Sequence, residues 1–345
     1  MKNTLNLLYC ARLQTAVLAR GFLSARSLIF IGCCTSFFSH AIDSHAIEKQ
    51  ANVFINELYH KANATPNTLM PQRIDWFSAK FLGDKYLLGA LGEGPGARYD
   101  QFPKYRTDAF DCDTYVTTVV SLALAHSLKS FQQCLKHTRY QNGKATYLYR
   151  NHFTSIDWNK NNQQRGVLKD ITLTIKDQNQ RPVALFANAL INKSNWYAYK
   201  SIATIRLEHE NKTQQATRLL ELKAQGKNLK TSRSKVPYLP FTALFTDKSK
   251  PNLYLFAQIP QGAIIEIIRP NWDLRKLIGT SLNISHLGFA IWIKGHLYFR
   301  QASSQQGKVV DVLLVEYLKE AQKSPTIKGI NIQIVKTKPL DAECK

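Results

Sequence analysis

The stretch "RTDAFDCDTYVTTVVSLALAH", residues 106–126, sets Cys112 directly behind Asp111 and ahead of a long apolar run. Asp111 is a good helix N-cap and Thr114 falls at the N3 position, so a helix is predicted to begin at or beside Cys112. Val116, Val119, Val120, Ala123 and Leu124 recur at helical spacing and should face the core. A thiol in that first turn feels the positive end of the helix, which lowers its pKa and favours the nucleophilic thiolate. The same turn's N–H groups could stabilise an oxyanion on an attacked carbonyl. A cysteine that merely packs is the competing reading.

A nucleophilic thiol needs a base, normally a histidine, itself held by a third polar group. His126 and His137 fall on early helices, and His60 and His209 on charged helical faces. His152, in "YRNHF", reads as a strand residue of undetermined facing. His286 differs. In "ISHLGFAIWI" its face carries Gly288 and Ala290, while the other carries Leu287, Phe289, Ile291 and Ile293. That pattern leaves room beside the imidazole for a substrate or a helix end; a satisfied core histidine is the alternative. "KG" at 294–295 turns the chain into "HLYFRQASS", which places Gln301 opposite Gly288 as a diagonal neighbour of His286. Its Cβ is then about 7–8 Å from that of His286. Ser303 would lie directly opposite. Gln301 is the better candidate to orient the ring, because it reaches further and offers a carbonyl acceptor.

The elements that must position these residues read coarsely. Residues 47–60 have helical periodicity, with Val53, Leu58 and Tyr59 on an apolar side. The glycine-rich stretch 81–105 is loop around a short strand or turn. "ATYLYRNHFTSIDW" (145–158) alternates like a strand, as do two pieces within 165–187. Residues 201–227 read as a charged amphipathic helix and "GKNLKTSRSK" as a flexible basic connector. Strands dominate the remainder. Helices early and strands late argue for an α+β domain with a mainly antiparallel sheet.

With 345 residues the chain can bury a sizeable core, and its 44% hydrophobic content is ordinary. The formal charge of +22 is not. It implies attraction to something anionic, and with no nucleic-acid-binding motif beside it, nucleic acid is not the expected partner. A solvated basic surface is the plain alternative. At the N-terminus, basic residues precede the apolar run "SLIFIGCCTSFF" and the small-residue site Ser39-His40-Ala41, which reads as an export signal over 1–41. Membrane attachment would come only through an uncleaved or lipidated N-terminus. Removing the leader leaves Cys112, Cys134 and Cys344, an odd number, so at least one thiol should stay unpaired. Cys134 and Cys344 are candidates to pair. No C-x-x-C pair or H-E-x-x-H motif is present, so neither a metal nor another cofactor is expected.

Four segments together carry a resemblance. They are "FLGDKYLLGALGEGPGARYDQFPKYRTDAFDCDTYV", "YRNHFTSIDW", "VPYLPF" and "NWDLRKLIGTSLNISHLGFAIWIKGHLYFRQASS". The chain resembles the NlpC-type papain-like cell-wall amidases, and more closely their N-acetylmuramoyl-L-alanine amidase-like branch. The resemblance implies a papain-like α+β fold, with an antiparallel sheet and a cysteine nucleophile at a helix N-terminus. It implies a single domain over 42–345 with an inserted segment at about 161–235, export to the periplasm or beyond, and hydrolysis of an amide in peptidoglycan or muropeptides. In this branch the expected bond joins N-acetylmuramic acid to L-alanine. Cys112 matches the nucleophile, His286 the base, and Tyr86 the tyrosine lining the site. Gln301 departs from the pattern, which usually has histidine there. Asn151, Trp158 and Trp272 are candidates for substrate contact, the two tryptophans equally for packing. Two other classes fit the same residues: a peptidoglycan-binding protein of the same fold, and a thiol acyltransferase.

Overall fold

The first helix, α1 (Ser44–Ala64), turns Ala51, Ile55, Leu58, Tyr59 and Ala62 inward at helical spacing. Val53, expected on that side, is 59% exposed, because it lies between the buried turns rather than on them. The computed structural model describes residues 43–64, 69–209, 211–247, 250–336 and 344. The expected leader, 1–41, lies outside the described residues.

Helix α2 (Met70–Ala79) follows, with a proline in its first turn where no N–H is needed. After short strands β1 (Lys85–Tyr86) and β2 (Ala109–Phe110) comes α3 (Cys112–Leu124). Nearly every side chain of α3 is buried, so it is an interior helix rather than a surface one. Helix α4 (Leu128–Arg139) has its own capping box, between Ser127 and Ser130. The later strands are β3 (Leu168–Asp170), β4 (Leu185–Asn192), β5 (Thr231–Pro240), β6 (Phe245–Thr246), β7 (Lys250–Pro251), β8 (Ile264–Leu274), β9 (Thr280–Ile293), β10 (His296–Ser303), β11 (Lys308–Leu313) and β12 (Gly329–Val335).

One sheet runs β2-β1-β11-β10-β9-β8-β12-β5-β4, with β3 alongside β12; β6 and β7 form a separate ribbon. Every pairing is antiparallel except β1 with β2. Helix α3 covers one face, where the Tyr115 ring meets Phe289 edge-on at 5.7 Å. On the other face Phe299, Ala290 and Ile265 pack with Leu314 and Leu318 of the helix Leu314–Ala321. A disulfide joins Cys134 of α4 to Cys344, tying the chain's end to the helical layer.

Three segments depart from the sequence reading. Residues 145–158 form no strand: a 3-10 turn at Tyr147–Tyr149 leads to a π-helical turn at Thr154–Trp158. Their apolar alternation arises because Tyr147 and Phe153 pack on the aromatic cluster of Trp196 and Tyr197, while Trp158 enters the main core. The second half of the "flexible connector", Thr231–Lys235, belongs to β5, which pairs with β4 along the full length of β4. Its inward Ser234 bonds the Asn283 amide instead of packing as a hydrophobe, so no apolar alternation marked it. The charged helix spans only Lys212–Gly226, started by an Asn211 cap.

Candidate active site

The Asp111 side chain organises one end of α3. Its Oδ1 accepts the Thr114 N–H at 2.8 Å, the Thr114 hydroxyl oxygen accepts the Asp111 N–H at 2.9 Å, and Oδ2 accepts the Gly89 N–H at 2.8 Å. The helix therefore starts at Cys112 and is fixed to the glycine-rich loop. The N–H groups of Cys112 and Asp113 lie ahead of the first intrahelical bond. Cys112 is fully buried and carries a disulfide in this structure. Nucleophilic chemistry belongs to the reduced form of Cys112.

The loop itself is held by three arginines from distant elements. Arg139 donates to the Leu91 and Gly92 carbonyls, Arg206 to those of Gly89 and Leu91, and Arg150 to Glu93 and Asp100. Gly92 can only be glycine, since a Cβ there would come within 2.6 Å of both the Asp100 carboxylate and the Phe102 carbonyl oxygen. Asp100 is fully buried; burial alone would raise its pKa, but the guanidinium groups of Arg206 and Arg150 hold it below the usual carboxylate range.

His286 sits on β9 beside a bulge at Ser285: Ile267 pairs with His286, but Ile268 pairs with Ile284. Its Nε2 contacts Gln301 Oε1 on β10. Nε2 then carries the proton and donates, leaving Nδ1 as the basic nitrogen. Ser303 does not compete, as its hydroxyl accepts the Gln306 N–H at 3.2 Å. The small-residue face is not the open space that the sequence suggested. A Cβ on Gly288 would lie 2.6 Å from both the Phe299 ring and the Arg300 carbonyl oxygen. Phe299 fills that space and also meets the imidazole edge-on at 5.7 Å, while Tyr317 stacks on it at 6.2 Å. Burial pushes the His286 pKa down to about 4, against the pull of the Gln301 hydrogen bond and the negative charge of Asp111. The imidazole is thus neutral at pH 7, on the sheet face away from the body of α3. The charge of Asp111, one residue before Cys112, links it to the helix start.

Tyr86 lies in β1 beside Phe110, and burial and the Asp111 carboxylate both raise its pKa, so its hydroxyl stays protonated. The other three substrate candidates are buried. Asn151 donates to the Thr138 carbonyl at 3.0 Å and accepts from Asn161 at 2.5 Å, so both ends of its amide are engaged. Trp158 is a core residue. Trp272 is buried in the third cluster, under the Arg269 guanidinium at 3.8 Å.

Sequence reading missed what does line the pocket at His286: His152, Phe153, Thr154 and Ser155, together with Leu282, Asn283 and Ile284. His152 lies two residues before the π-helical turn Thr154–Trp158 and packs on Trp196. Its Nε2 lies 2.7 Å from the Tyr147 carbonyl oxygen. Among the described residues no group of three or more His, Cys, Asp or Glu could hold a metal, and no helix is long and apolar enough to cross a membrane.

The family described as AmiA-like, N-acetylmuramoyl-L-alanine amidase-like, matches residues 76–327. The chain belongs to that family. Protein LPG0564 of Legionella pneumophila str. Philadelphia 1, assigned to the DUF1460 family, is 67% identical, with 85% of this chain and 97% of that chain covered and a TM-score of 0.83. An N-acetylmuramoyl-L-alanine amidase from Bacteroides uniformis is 23% identical over 77% of this chain and 99% of its own, with a TM-score of 0.53. A protein from Bacteroides fragilis titled a putative xylanase is 24% identical over 75% and 99%, with a TM-score of 0.51. The last two share the fold. No curated protein matches the chain.

Proposed function

We propose that this AmiA-like family member is an exported cysteine amidase of papain-like type, acting on the bond between N-acetylmuramic acid and L-alanine in peptidoglycan or its fragments. The carrying observation is Asp111, which caps the helix that begins at Cys112 while its charge bears on an imidazole held by Gln301. Reduced Cys112 attacks the amide carbonyl and gives its proton to His286 Nδ1. The N–H groups of the first turn of α3 stabilise the oxyanion, with the protonated Tyr86 hydroxyl as a further donor. The imidazolium protonates the leaving amine of alanine, then the neutral ring activates water to release the lactyl carboxylate and restore the thiol. Mass spectrometry of purified muropeptides incubated with reduced protein tests this. The expected products are an intact sugar acid and a peptide with a free N-terminal alanine; intact muropeptide would overturn it.

A second reading has one observation in its favour. The imidazole is packed between Phe299 and Tyr317 with a pKa of about 4, which makes it a weak base. A peptidoglycan-binding protein with little turnover would retain muropeptide unchanged in the same experiment.

A further inference from the structure

A polar cleft lies outside the residues given roles above. It has a volume of about 690 Å³, within the range of about 300–1,000 Å³ usual for ligand sites. One wall is the outward face of the β4–β5 ribbon, where register places Asn188, Leu190 and Asn192 beside Lys235, Arg233 and Thr231. The other wall is built from the β8 segment around Asn271, the turn Arg275–Ile278 and the start of β9.

The walls are joined by hydrogen bonds, so the cleft is preformed. Asn195 Nδ2 donates to the Gly279 carbonyl at 2.6 Å, and the Asn192 N–H donates to the Thr280 hydroxyl at 2.7 Å. Gly279 has φ of 80° and would place a Cβ 2.6 Å from the Asn195 carbonyl oxygen, so glycine is required for this approach. Asn283 bonds two residues of the lining, Ser234 and Asn271. Its amide donates to Ser234 Oγ and the Ala187 carbonyl, its oxygen accepts the Asn271 N–H, and the same residue lines the pocket at His286. One buried side chain therefore bonds the lining of the cleft and itself lines the pocket at the imidazole.

The chemistry of the lining is one-sided, because no acidic residue contributes to it. Arg275 shares its charge with Asp273 at 2.7 Å. Arg233, by contrast, has no side-chain partner among the described residues, and neither does the neighbouring Asn188 amide. A guanidinium fork on a rigid strand, with an amide and the exposed Leu190 beside it, suits a planar anion carried on a small peptide.

We propose that this cleft is the subsite for the carboxylate-bearing peptide stem of the substrate, with Arg233 as its carboxylate-binding residue. The inference rests on the amidase reading above for its choice of ligand. Calorimetric titration of the full protein with alanyl-γ-D-glutamyl-diaminopimelate, and with the same peptide carrying carboxamides in place of its carboxylates, tests it. The acidic peptide should bind at least about tenfold more tightly, the yield of one charge-assisted pair. Arg233→Gln should reduce the acidic peptide to the affinity of the carboxamide form, Arg233→Lys should keep part of the difference, and thermal unfolding should be unchanged in both. Equal affinities in the natural protein, or the same preference in Arg233→Gln, would overturn the proposal. Binding is read without turnover, which separates the two claims. Arg233-dependent binding without hydrolysis leaves the subsite standing and removes the amidase, whereas hydrolysis with no effect of Arg233→Gln on peptide binding does the reverse.

Discussion

His286 Nε2 meets Gln301 Oε1 across the hairpin that joins β9 to β10. The contact selects the tautomer, and Gln301, only 3% exposed and opposite Val310 on β11, has little freedom to turn away. Gln301→Ala should lower kcat by up to about 100-fold, the scale of loss when a catalytic group is misplaced, with a smaller change in KM. Gln301→His should retain or raise the rate, since imidazole can also accept the ring N–H. Steady-state kinetics on a soluble muropeptide check both, and a Gln301→Ala enzyme with unchanged kcat would remove Gln301 from the site.

Cys112 and Cys134 are both fully buried, yet they should behave differently on substitution. In the reduced protein, Cys112→Ala should abolish hydrolysis and leave the fold intact, because the Asp111–Thr114 capping box does not involve the sulfur. Cys134→Ala should leave the chemistry and lower stability by about 2–4 kcal/mol, the usual worth of a disulfide that closes a long loop. Activity under mild reduction, paired with urea unfolding, separates these outcomes. Hydrolysis surviving in Cys112→Ala would overturn the mechanism.

Local chemistry in the sequence made some features legible and hid others. The helix start at Cys112 was readable because an Asp–Thr cap acts over three residues, and the His286–Gln301 register because a Lys-Gly turn fixes a hairpin. Filling of the small-residue face by Phe299 was not readable, since Gly288 reports a close approach without saying what approaches. The place of His152 beside the His286 pocket was hidden for a related reason. Its position depends on packing against Trp196, 44 residues later in the chain. Ser234 and Asn283 are polar residues used as core, so β5 carried a polar pattern that reads as loop.

Two buried groups give stability opposite dependences on pH. Burial lowers His286 to about 4 from 6.5, so the unfolded chain binds the extra proton and stability falls as pH drops from about 6.5 towards 4. The loss should be no more than about 3 kcal/mol. Burial raises Glu266 to about 8 from 4.5, so its contribution is full below 4.5 and disappears as pH rises towards 8. Among the described residues its only side-chain donor is Asn159, at 3.1 Å, and nearby Asp170 disfavours its charge further. Relative to the natural protein, His286→Gln should gain stability on acidification from pH 6.5 to 4.5, and Glu266→Gln should gain it as pH rises from 5 to 8. Urea midpoints across this range decide, and curves parallel to the natural protein would contradict both assignments.

The buried carboxylate of Asp100 should matter to catalysis through a chain of contacts. Asp100 bonds Arg150 and Arg206, Arg206 donates to the Gly89 carbonyl, and the Gly89 N–H donates to the carboxylate that caps α3. Asp100→Asn leaves two guanidinium groups without a full counter-charge in the interior, which should cost about 3–5 kcal/mol. Arg206→Lys keeps the charge but loses the fork that holds the Gly89 and Leu91 carbonyls together. Its kcat should fall several-fold while its unfolding midpoint drops less than that of Asp100→Asn, because Arg150 still compensates Asp100. The chemical shift of the Gly89 amide supplies a readout that general destabilisation would not move. If Arg206→Lys alters stability but neither kcat nor that resonance, the arginine network supports the loop without positioning the end of α3.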